Sequence, residues 1–289
     1  MKKGFKNILR KLFWGGFRHL LSDRKYAQIR YWLELDEWPD IEKPKKFSEK
    51  IQHIKLYDRT LNRKKVANRL AVRRFVADRI GRTHLVPLID SFDNLSRRAW
   101  RNLPAQFILK ANHGCGMHQI VFDKARENFK KIQQEMRQWQ STNYYAFGRE
   151  WAYKNIPRTI VAEKLLLNAD GNIPMDYKFF CFNGNVKLIQ VDYNRFGEHK
   201  RNLFDPNYKR IDGTLLYPPS PEQSQKPEHF NQAKKIAESL SCEFNFIRVD
   251  LYLMEEKVYF GELTNYPGNG FQPFKPESLE CKMGSFLTL

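Results

Sequence analysis

Two apolar strands near the C-terminus, each carrying one acid, constrain the fold more than any other feature of the sequence. The segment "FIRVDLYLM" carries Asp250, and "KVYFGELTNYPGNG" carries Glu262 into a turn rich in proline and glycine. Because only the short turn at residues 255–257 separates them, the two strands are predicted to pair as a hairpin. Pairing would bring both acids to one face, where two like charges need a cation. The pattern therefore indicates either a divalent-metal site or two solvated acids on a sheet face.

Composition and charge are typical of a folded protein with an anionic partner. The chain has 289 residues, of which 42% are hydrophobic and 14% aromatic, enough for a substantial core and two or three subdomains. Lys and Arg number 50 against 32 Asp and Glu, which gives a net charge of +18. This excess favours a nucleotide, a nucleic acid, an acidic glycan or a membrane surface as the partner. Charge alone does not distinguish these four classes.

The cysteines and the hydrophobic runs bear on the compartment. The chain has four cysteines: Cys115, Cys181, Cys242 and Cys281. They lie far apart and lack the paired spacing of zinc knuckles or disulfide frameworks, so free thiols in a reducing cytoplasm are predicted. No apolar run approaches the ~20 residues of a membrane-spanning helix, and no secretory signal is evident. We therefore expect a cytoplasmic protein, either soluble or peripheral on the inner face of the plasma membrane.

Residues 1–30 combine positive charge with a helical hydrophobic pattern. They hold nine Lys or Arg and one acid, Asp23. Their large apolar side chains fall near one helical face: Phe5, Ile8, Leu9, Leu12, Phe13, Phe17, Leu20 and Leu21. A basic amphipathic helix of this kind would suit the headgroup region of an anionic bilayer, or would pack on the domain's own core. Gly15 and Gly16 weaken the helix in either case.

The middle of the chain alternates helical and strand patterns. "KPKKFSEKIQHIKLYDR" is predicted to be a helix with Ser48 as its cap, and "NRLAVRRFVADRIG" a helix that ends at Gly81. "HLVPLIDSF" is typical of a buried strand, and "LPAQFILKANHGCGMHQIVFD" of two strands around a glycine turn. A charged helix is predicted from Lys124 to Gln140, and "RTIVAEKLLL" is predicted to be an apolar strand.

The C-terminal part is rich in strands. "MDYKFFCFNG" and "NVKLIQVDYNR" are predicted to form a hairpin through Asn183-Gly184, a strong type I′ turn signal. "PEHFNQAKKIAESLS" is typical of a helix, and the hairpin described first follows it. The order predicts an α+β chain with two sheets separated near residue 168.

Several charged residues lie where strands end or face one another. Lys110 precedes the glycine loop "ANHGCGM", a setting that suits a triphosphate but also an ordinary hairpin turn. Glu163 and Lys164 interrupt an apolar strand, which fits either a nucleotide contact or an edge-strand ion pair. Asp176 and Lys178 fall on one strand face.

Further cations follow in "EHKRNLF", which carries Lys200 and Arg201. Such cations would clamp phosphates or a substrate carboxylate, or simply form a solvated basic face.

The ordered set of these features resembles the ATP-grasp superfamily. More narrowly, the chain is similar to the TupA-like ATP-grasp family, which is associated with bacterial teichuronopeptide and capsular polysaccharide biosynthesis. The matching segments are "KPKKFSEKIQHIKLYDR", "FILKANHGCG", "FGREWAYKN", "AEKLL", "DYKFFCFNG", "HKRNLFD", "RVDLY" and "YFGELTNYPGNGF". The resemblance implies an α+β ATP-grasp fold in which two antiparallel sheets hold the nucleotide, after a mostly helical N-terminal region.

The resemblance also implies a division of the chain. The expected parts are a basic amphipathic segment at 1–30, an N-terminal subdomain at 31–103, a small lid subdomain at 104–168 and a C-terminal subdomain at 169–289.

Site residues follow from the resemblance position by position. The expected ATP contacts are Lys110, Asn112, His113, Gly114, Cys115, Gly116, Glu163, Lys164, Leu165, Asp176 and Lys178. Asp250, Glu262 and Thr264 are expected to hold Mg²⁺, with Thr264 in place of the Asn of the family's Glu-x-Asn motif. Lys178, Arg201 and Arg248 are the expected catalytic cations, and the expected substrate contacts are Arg149, Trp151, Lys154 and Asn265. Arg69 stands where the family commonly has a phosphate-binding lysine.

The implied activity is ligation of a carboxylate to an amine through an acyl-phosphate, with ATP and Mg²⁺. The implied acceptor is an acidic sugar or polysaccharide, such as a uronic acid, and the amine is an amino acid or amino sugar. A glycosyltransferase or sugar kinase of the same pathway is the alternative enzyme, although no Asp-x-Asp motif is present. A non-catalytic nucleotide-binding protein is a third. No nucleic-acid partner is expected, because no reader motif is recognisable.

Overall fold

The computed structural model describes residues 2–194, 197–222 and 225–289. Within these ranges the helices are α1 (Lys2–Trp14), α2 (Asp23–Leu35), α3 (Phe47–Tyr57), α4 (Leu61–Ala67), α5 (Ala71–Ile80), α6 (Arg97–Asn102), α7 (Phe129–Ser141), α8 (Tyr144–Gly148), α9 (Phe230–Ser241) and α10 (Glu277–Ser285). The strands are β1 (Leu88–Phe92), β2 (Phe107–Ala111), β3 (His118–Val121), β4 (Ile160–Glu163), β5 (Asp176–Phe182), β6 (Asn185–Tyr193), β7 (Lys200–Phe204), β8 (Arg210–Ile211), β9 (Thr214–Leu215), β10 (Phe246–Leu253), β11 (Val258–Thr264) and β12 (Phe274–Lys275).

The larger sheet is antiparallel and has the order β11-β10-β5-β6-β7-β8. Its central hairpin turns at Asn183 (φ 47°) and Gly184 (φ 77°), and two positive φ angles are what a type I′ turn requires. The predicted hairpins β5–β6 and β10–β11 are both confirmed.

The two faces of the larger sheet are covered differently. One face carries Phe179 and Val249 and is buried under α5 and α9. The other carries Phe180 and Phe246, which pack on Phe47 of α3 and on α10. This second face is apolar at one end only, and its polar end forms the site described below.

The smaller sheet, here called the lid sheet, has the order β1-β4-β2-β3 and is also antiparallel. Phe107 and Leu109 of β2 pack on Ile132 and Trp139 of α7. The two sheets are joined by residues 164–175, as predicted from the break near residue 168. The α+β ATP-grasp fold class is confirmed.

Three local predictions were wrong. The segment "HLVPLIDSF" is not a buried strand, because β1 lies at the edge of the lid sheet with three of its five residues exposed. β1 pairs with β4 and so belongs to the lid sheet. The predicted helix at 124–140 begins later, at Phe129, and is capped by the Asn128 side chain.

Ser48 is not a helix cap. It lies inside α3, where its backbone N–H and its hydroxyl both donate to Glu280 Oε1 on α10, each at 2.6 Å. The first turn of α3 is instead stabilised by Glu49, whose carboxylate accepts from the backbone N–H groups of Lys45 and Lys46.

The N-terminal segment forms two helices that divide its apolar residues between core and solvent. The break falls at Gly16, which has φ 132°. Phe13 of α1 is 1% exposed and packs on α2, whereas Ile8 is 59% and Leu12 57% exposed. Across the described residues, no helix combines the length and the apolar character needed to cross a bilayer.

Candidate active site

A row of charged and polar side chains crosses the polar end of the larger sheet. The strand register places Glu262 opposite Asp250, Asp250 opposite Lys178, and Lys178 opposite Gln190. Residues that lie directly opposite on neighbouring strands share a face. The sequence prediction that Asp250 and Glu262 meet on one face is therefore confirmed, and the row extends over four strands.

Two cations neutralise Asp250, which is 2% exposed. Arg248 donates from Nε to Oδ1 and from Nη2 to Oδ2, both at 2.7 Å. Lys178 Nζ donates to Asp250 Oδ2 at 2.9 Å and to Asp176 Oδ2 at 3.0 Å. A buried carboxylate is tolerated when it is paired in this way. Three predicted site residues, Asp176, Lys178 and Arg248, thus meet at Asp250.

Glu262 lies at the end of the row and faces further donors. Its Oε1 accepts from Arg248 Nη2 at 3.3 Å and from Thr264 Oγ1 at 3.0 Å, and its Oε2 lies 3.5 Å from Arg69 Nη2. Burial would raise the pKa of Glu262, but the nearby charges of Arg69, Arg248 and Lys178 outweigh it and lower the pKa to about 2. The group is a carboxylate at neutral pH.

The donor set of Asp250, Glu262 and Thr264 fits Mg²⁺ bound together with phosphates. All three offer oxygen, and Mg²⁺ in phosphate sites usually takes one or two carboxylates and completes its shell with phosphate and water. Among the described residues there is no group of three or more His, Cys, Asp or Glu that would hold a metal unaided.

Thr264, rather than its neighbour Asn265, faces the acids. The Asn265 side chain is 1% exposed and is committed to Arg63, accepting from Nη1 at 3.2 Å and donating to its carbonyl at 2.9 Å. The Asn265 side chain is therefore not available to a substrate.

At the lid sheet, one acid forms ion pairs with two cations. Lys110 Nζ donates to Glu163 Oε2 at 2.7 Å, and Arg73 Nη1 donates to Glu163 Oε1 at 2.9 Å. Burial would raise the pKa of Glu163, but Lys110, Arg73 and Arg69 lower it. The acid is ionised and holds two cations in place.

A cleft, here called the first cleft, separates this lid ion pair from the larger sheet. Glu163 and Gly114 line it on the lid side, Arg73 lines it from α5, and Phe260 and Glu262 line it on the side of the larger sheet. Its apolar lining residues are Val66, Ala67, Val72, Val86 and Leu263. The apolar walls and the charges of Arg69 and Arg73 match the chemistry of a nucleotide with its phosphates, although the cavity measures only about 30 Å³ in this structure.

The glycine loop at 112–116 contributes less side-chain chemistry than predicted. Asn112 donates to Pro157 O and accepts from Leu70 N, and His113 Nε2 lies 3.1 Å from Trp139 O, so both side chains anchor the loop. Gly114 lines the first cleft, where an added Cβ would clash with Met117 and Tyr144.

The remaining residues that were predicted to contact the nucleotide do not share one cleft. Cys115 lies beside a second cleft, and Gly116 has φ 74°, a conformation that favours glycine. Of residues 163–165 only Glu163 lines the first cleft, because Lys164 and Leu165 line a separate cleft beside the β10–β11 turn.

The second cleft opens over β5, β6 and β7. It brings together the three predicted catalytic cations, Lys178, Arg201 and Arg248, with Glu262 at its edge. Four further residues that sequence reasoning missed line it: Gln190, Asp192, His199 and Tyr217.

The missed residues had only a weak signal. Gln190 and Asp192 alternate along "NVKLIQVDY" and so share a face, but only the pairing with β5 shows that this is the face of Lys178.

Three other predicted substrate residues lie away from both clefts. Arg149 pairs with Asp23 at 3.2 Å and donates to Arg18 O, so it ties the N-terminal helices to the domain. The Trp151 ring lies against the Arg59 guanidinium, and Lys154 lines a surface pocket beside Tyr145. Their aromatic and basic character gave no information on where the side chains point.

The fold and the site define an ATP-grasp protein, with a cleft between two antiparallel sheets that carries cations on one side and paired acids on the other. The sequence profile of the family described as TupA-like ATPgrasp matches residues 49–288. The chain therefore belongs to the TupA-like ATP-grasp family.

Several solved structures are similar to the chain at low identity. D-alanine–D-alanine ligase from Bacillus anthracis complexed with ATP has 12% identity and a TM-score of 0.39, covering 70% of this chain and 54% of that chain. The ATP-grasp ligase PsnB complexed with a phosphomimetic variant of its minimal precursor, Mg and ADP has 12% identity and a TM-score of 0.42, covering 89% and 64%. L-amino acid ligase from Bacillus licheniformis has 16% identity and a TM-score of 0.40, covering 72% and 42%. The chain thus spans less than two thirds of the length of these structures, and no curated protein matches its sequence.

Proposed function

We propose that the protein is an ATP-dependent carboxylate–amine ligase that forms an amide through an acyl-phosphate. The charged row on the larger sheet is the observation that carries this proposal. Paired acids that suit a phosphate-bound metal lie beside Arg248 and Lys178. These two cations border the second cleft, which sixteen residues line. The chemistry needs positioned charge rather than a side-chain nucleophile.

In this proposal the first cleft takes ATP. Lys110 on the lid sheet and Arg73 on α5, both held by Glu163, neutralise phosphate oxygens, and Arg69 does so from the loop after α4. The backbone at Gly114 closes over the phosphates, which requires a residue without a side chain. Magnesium held by Asp250, Glu262 and Thr264 would neutralise phosphate charge and orient the phosphates.

The acceptor lies in the second cleft. A carboxylate oxygen of the acceptor attacks the γ-phosphorus, the bond to the β–γ bridging oxygen breaks, and ADP leaves. Lys178 and Arg248 offset the charge that shifts during this transfer. The amine nitrogen then attacks the acyl carbon, the bond to the phosphate oxygen breaks, and inorganic phosphate leaves with an amide as product.

The acceptor we propose is a uronic acid of a bacterial surface polysaccharide or its precursor, and the amine is an amino acid or amino sugar. Membership of the TupA-like family supports this substrate class. Lys178, Arg201 and Arg248 in the second cleft fit an acidic acceptor.

Trapping with hydroxylamine tests the acyl-phosphate. The protein is incubated with ATP, Mg²⁺ and either D-glucuronate or D-galacturonate, and both hydroxamate and ADP are measured. We expect hydroxamate in proportion to ADP with at least one acid and none with D-glucose, which lacks a carboxylate. ADP release without hydroxamate for any acid would contradict the ligase mechanism.

We also propose that α1 contacts an anionic membrane surface. Ile8 and Leu12 are exposed one helical turn apart, and Phe17 (51% exposed) and Leu20 (83% exposed) lie in the short 3₁₀ helix Phe17–Leu20 beyond the break at Gly16. Lys11 is exposed on the same helix, and buried Phe13 holds the helix on the domain. Exposed apolar residues flanked by cations fit the headgroup region of an anionic bilayer.

Co-sedimentation with vesicles tests this contact. Wild type should bind vesicles that contain phosphatidylserine and bind pure phosphatidylcholine weakly. The double variant Ile8→Ser/Leu12→Ser should lose most of the binding, whereas the control Leu61→Ser, at a residue 77% exposed elsewhere, should not. Equal binding by all three proteins would reject the membrane contact.

A further inference from the structure

We propose that His199 is the general base that accepts the proton of the attacking amine, with Asp192 as the group that holds and stabilises it. The inference rests on the proposed ligase function and adds a catalytic residue to it. It starts from the second cleft, where His199 is the one histidine among the lining residues that the structure describes.

The imidazole ring of His199 is held on two sides. Its Nε2 lies 3.2 Å from Asp192 Oδ1, and the ring stacks on Tyr217 with centroids 3.7 Å apart and planes 23° apart. The side chain is 17% exposed, and Nε2 is buried with no hydrogen-bond partner in good geometry among the described residues. With Nε2 3.2 Å from the Asp192 carboxylate, we assign Nδ1 as the nitrogen that meets a ligand in the cleft.

Asp192 is itself fixed as an anion. It is 3% exposed, accepts from Arg201 Nε at 2.5 Å and accepts from Gln190 Nε2 at 3.0 Å. Burial would raise the pKa of Asp192, but the hydrogen bond and charge of Arg201, with the charge of Lys178, lower it. A permanent carboxylate beside the imidazole stabilises the imidazolium that forms when the ring takes a proton.

The pair lies next to the charged row. Gln190 is opposite Lys178, and Asp192 follows it two residues later on the same strand face. Lys178, Arg248 and Glu262 line the same cleft as His199. A base at this position is beside the place where the acyl-phosphate would form.

Arg201 holds Asp192 in place and keeps one N–H group for a substrate. Its Nε is committed to Asp192 and its Nη1 to Leu215 O at 2.9 Å, while Nη2 has no hydrogen-bond partner among the described residues. Gln190 Oε1 also lacks a partner. One donor and one acceptor thus remain beside the base to orient a polar substrate.

The proposed step balances as follows. The neutral amine nitrogen forms a bond to the acyl carbon, and the bond from that carbon to the phosphate oxygen breaks. Phosphate leaves with the bonding electron pair, and one proton of the new N–H passes to His199 Nδ1. The imidazolium later releases this proton to water.

Two nucleophiles with different needs provide the test. Hydroxylamine is largely unprotonated at neutral pH and needs no base, whereas an amino-acid amine does. Wild type and His199→Gln are assayed with ATP, Mg²⁺ and D-glucuronate or D-galacturonate, with either hydroxylamine or each standard amino acid and D-glucosamine. The control is His229→Gln, since His229 lines neither cleft and its Nε2 lies 2.9 Å from the Glu255 carbonyl oxygen.

We expect amide formation by His199→Gln to fall about 100-fold or more below wild type, the range of general-base catalysis. Hydroxamate formation by the same variant should stay within about threefold of wild type. Added imidazole should restore amide formation by His199→Gly in part, which a purely structural role would not allow. His229→Gln should match wild type in both assays.

Parallel loss of both products in His199→Gln, or loss of neither, would overturn the inference and leave the ligase proposal intact. Wild type that forms hydroxamate but transfers to none of the amines would also overturn it. Failure of the ligase proposal is distinguishable, because wild type itself would then form no hydroxamate.

Discussion

The two sheets that face the first cleft place their charges by different means. On the larger sheet, backbone register aligns Glu262, Asp250 and Lys178 across neighbouring strands. On the lid sheet a single acid, Glu163, binds Lys110 of the same sheet and Arg73 of α5. The larger sheet therefore fixes the positions of its charged side chains relative to one another to within a strand spacing, which suits the chemical step. The lid sheet carries its charges on a smaller and separate core, which suits nucleotide binding.

If this division of roles is right, Asp250→Asn should have the largest effect. It removes one of the two carboxylates proposed to hold magnesium and the acceptor for both Arg248 and Lys178. We expect acid-dependent ADP release to fall about 100-fold or more, as for loss of a central charge-stabilising group. Steady-state kinetics with a uronic acid acceptor measures it.

The matched control is Asp212→Asn, at an exposed residue outside both clefts. It should behave as wild type. Thermal unfolding of both variants separates a chemical effect from misfolding, since Lys178 keeps Asp176 and Arg248 keeps Glu262 as partners. Folded Asp250→Asn with more than a tenth of wild-type activity would contradict the assigned role of the larger sheet.

A change in the lid should affect binding rather than turnover. Lys110→Met removes the proposed phosphate contact but leaves Glu163 paired with Arg73, so the fold should persist. We expect the KM for ATP to rise about tenfold with kcat within about threefold, because one charge-assisted hydrogen bond contributes about 1.5 kcal/mol or more. Lys130→Met, at an exposed residue of α7, is the control. A drop in kcat at unchanged KM would reverse the roles of the two sheets.

Acid should weaken the larger sheet through Glu262. Its folded-state pKa of about 2 lies below the usual glutamate value of 4.5, so its contribution to the free energy of unfolding is present above about pH 5 and is lost as the pH falls toward 2. With 34% of the side chain exposed, we expect a contribution of only about 1 to 2 kcal/mol.

Urea unfolding at pH 7 and pH 3 measures this contribution. The difference in unfolding free energy between the two pH values should be smaller for Glu262→Gln than for wild type. Glu255→Gln, at an exposed residue of the β10–β11 turn, should retain the wild-type difference. The same pH dependence in all three proteins would show that Glu262 is not held ionised by its neighbours.

The smallest effect is expected at Lys154. Its ammonium lies over the Tyr145 ring in a surface pocket, 5.2 Å from the centroid, and contacts neither sheet's cleft. Lys154→Ala should change kcat/KM for the uronic acid less than about twofold. A larger loss in a folded variant would mean that the acceptor extends well beyond the second cleft.

The parts of the site that lie on strands were predictable because strands have a fixed period. Alternation along "FIRVDLYLM" and the short turn after it suffice to pair Asp250 with Glu262, and an Asn-Gly turn suffices for the β5–β6 hairpin. Fold class followed from the order of these elements.

The parts that depend on loops and on long-range pairing were not predictable. Asn112 and His113 lie in a glycine loop, yet their side chains bond to Pro157 and Trp139, which no local pattern reveals. Asp192 and Arg201 came together only through the β6–β7 register. Sequence spacing sets the direction of a side chain on a strand but not in a loop.

Transfer of oxygen from the acceptor to phosphate tests the central claim most directly. The protein is incubated with ATP, Mg²⁺, an amine and a uronic acid labelled with ¹⁸O in its carboxylate, and the inorganic phosphate is analysed by mass spectrometry. Attack of the carboxylate on the γ-phosphorus predicts one ¹⁸O atom in each phosphate released with amide. Unlabelled phosphate, or release of AMP and pyrophosphate, would contradict the account.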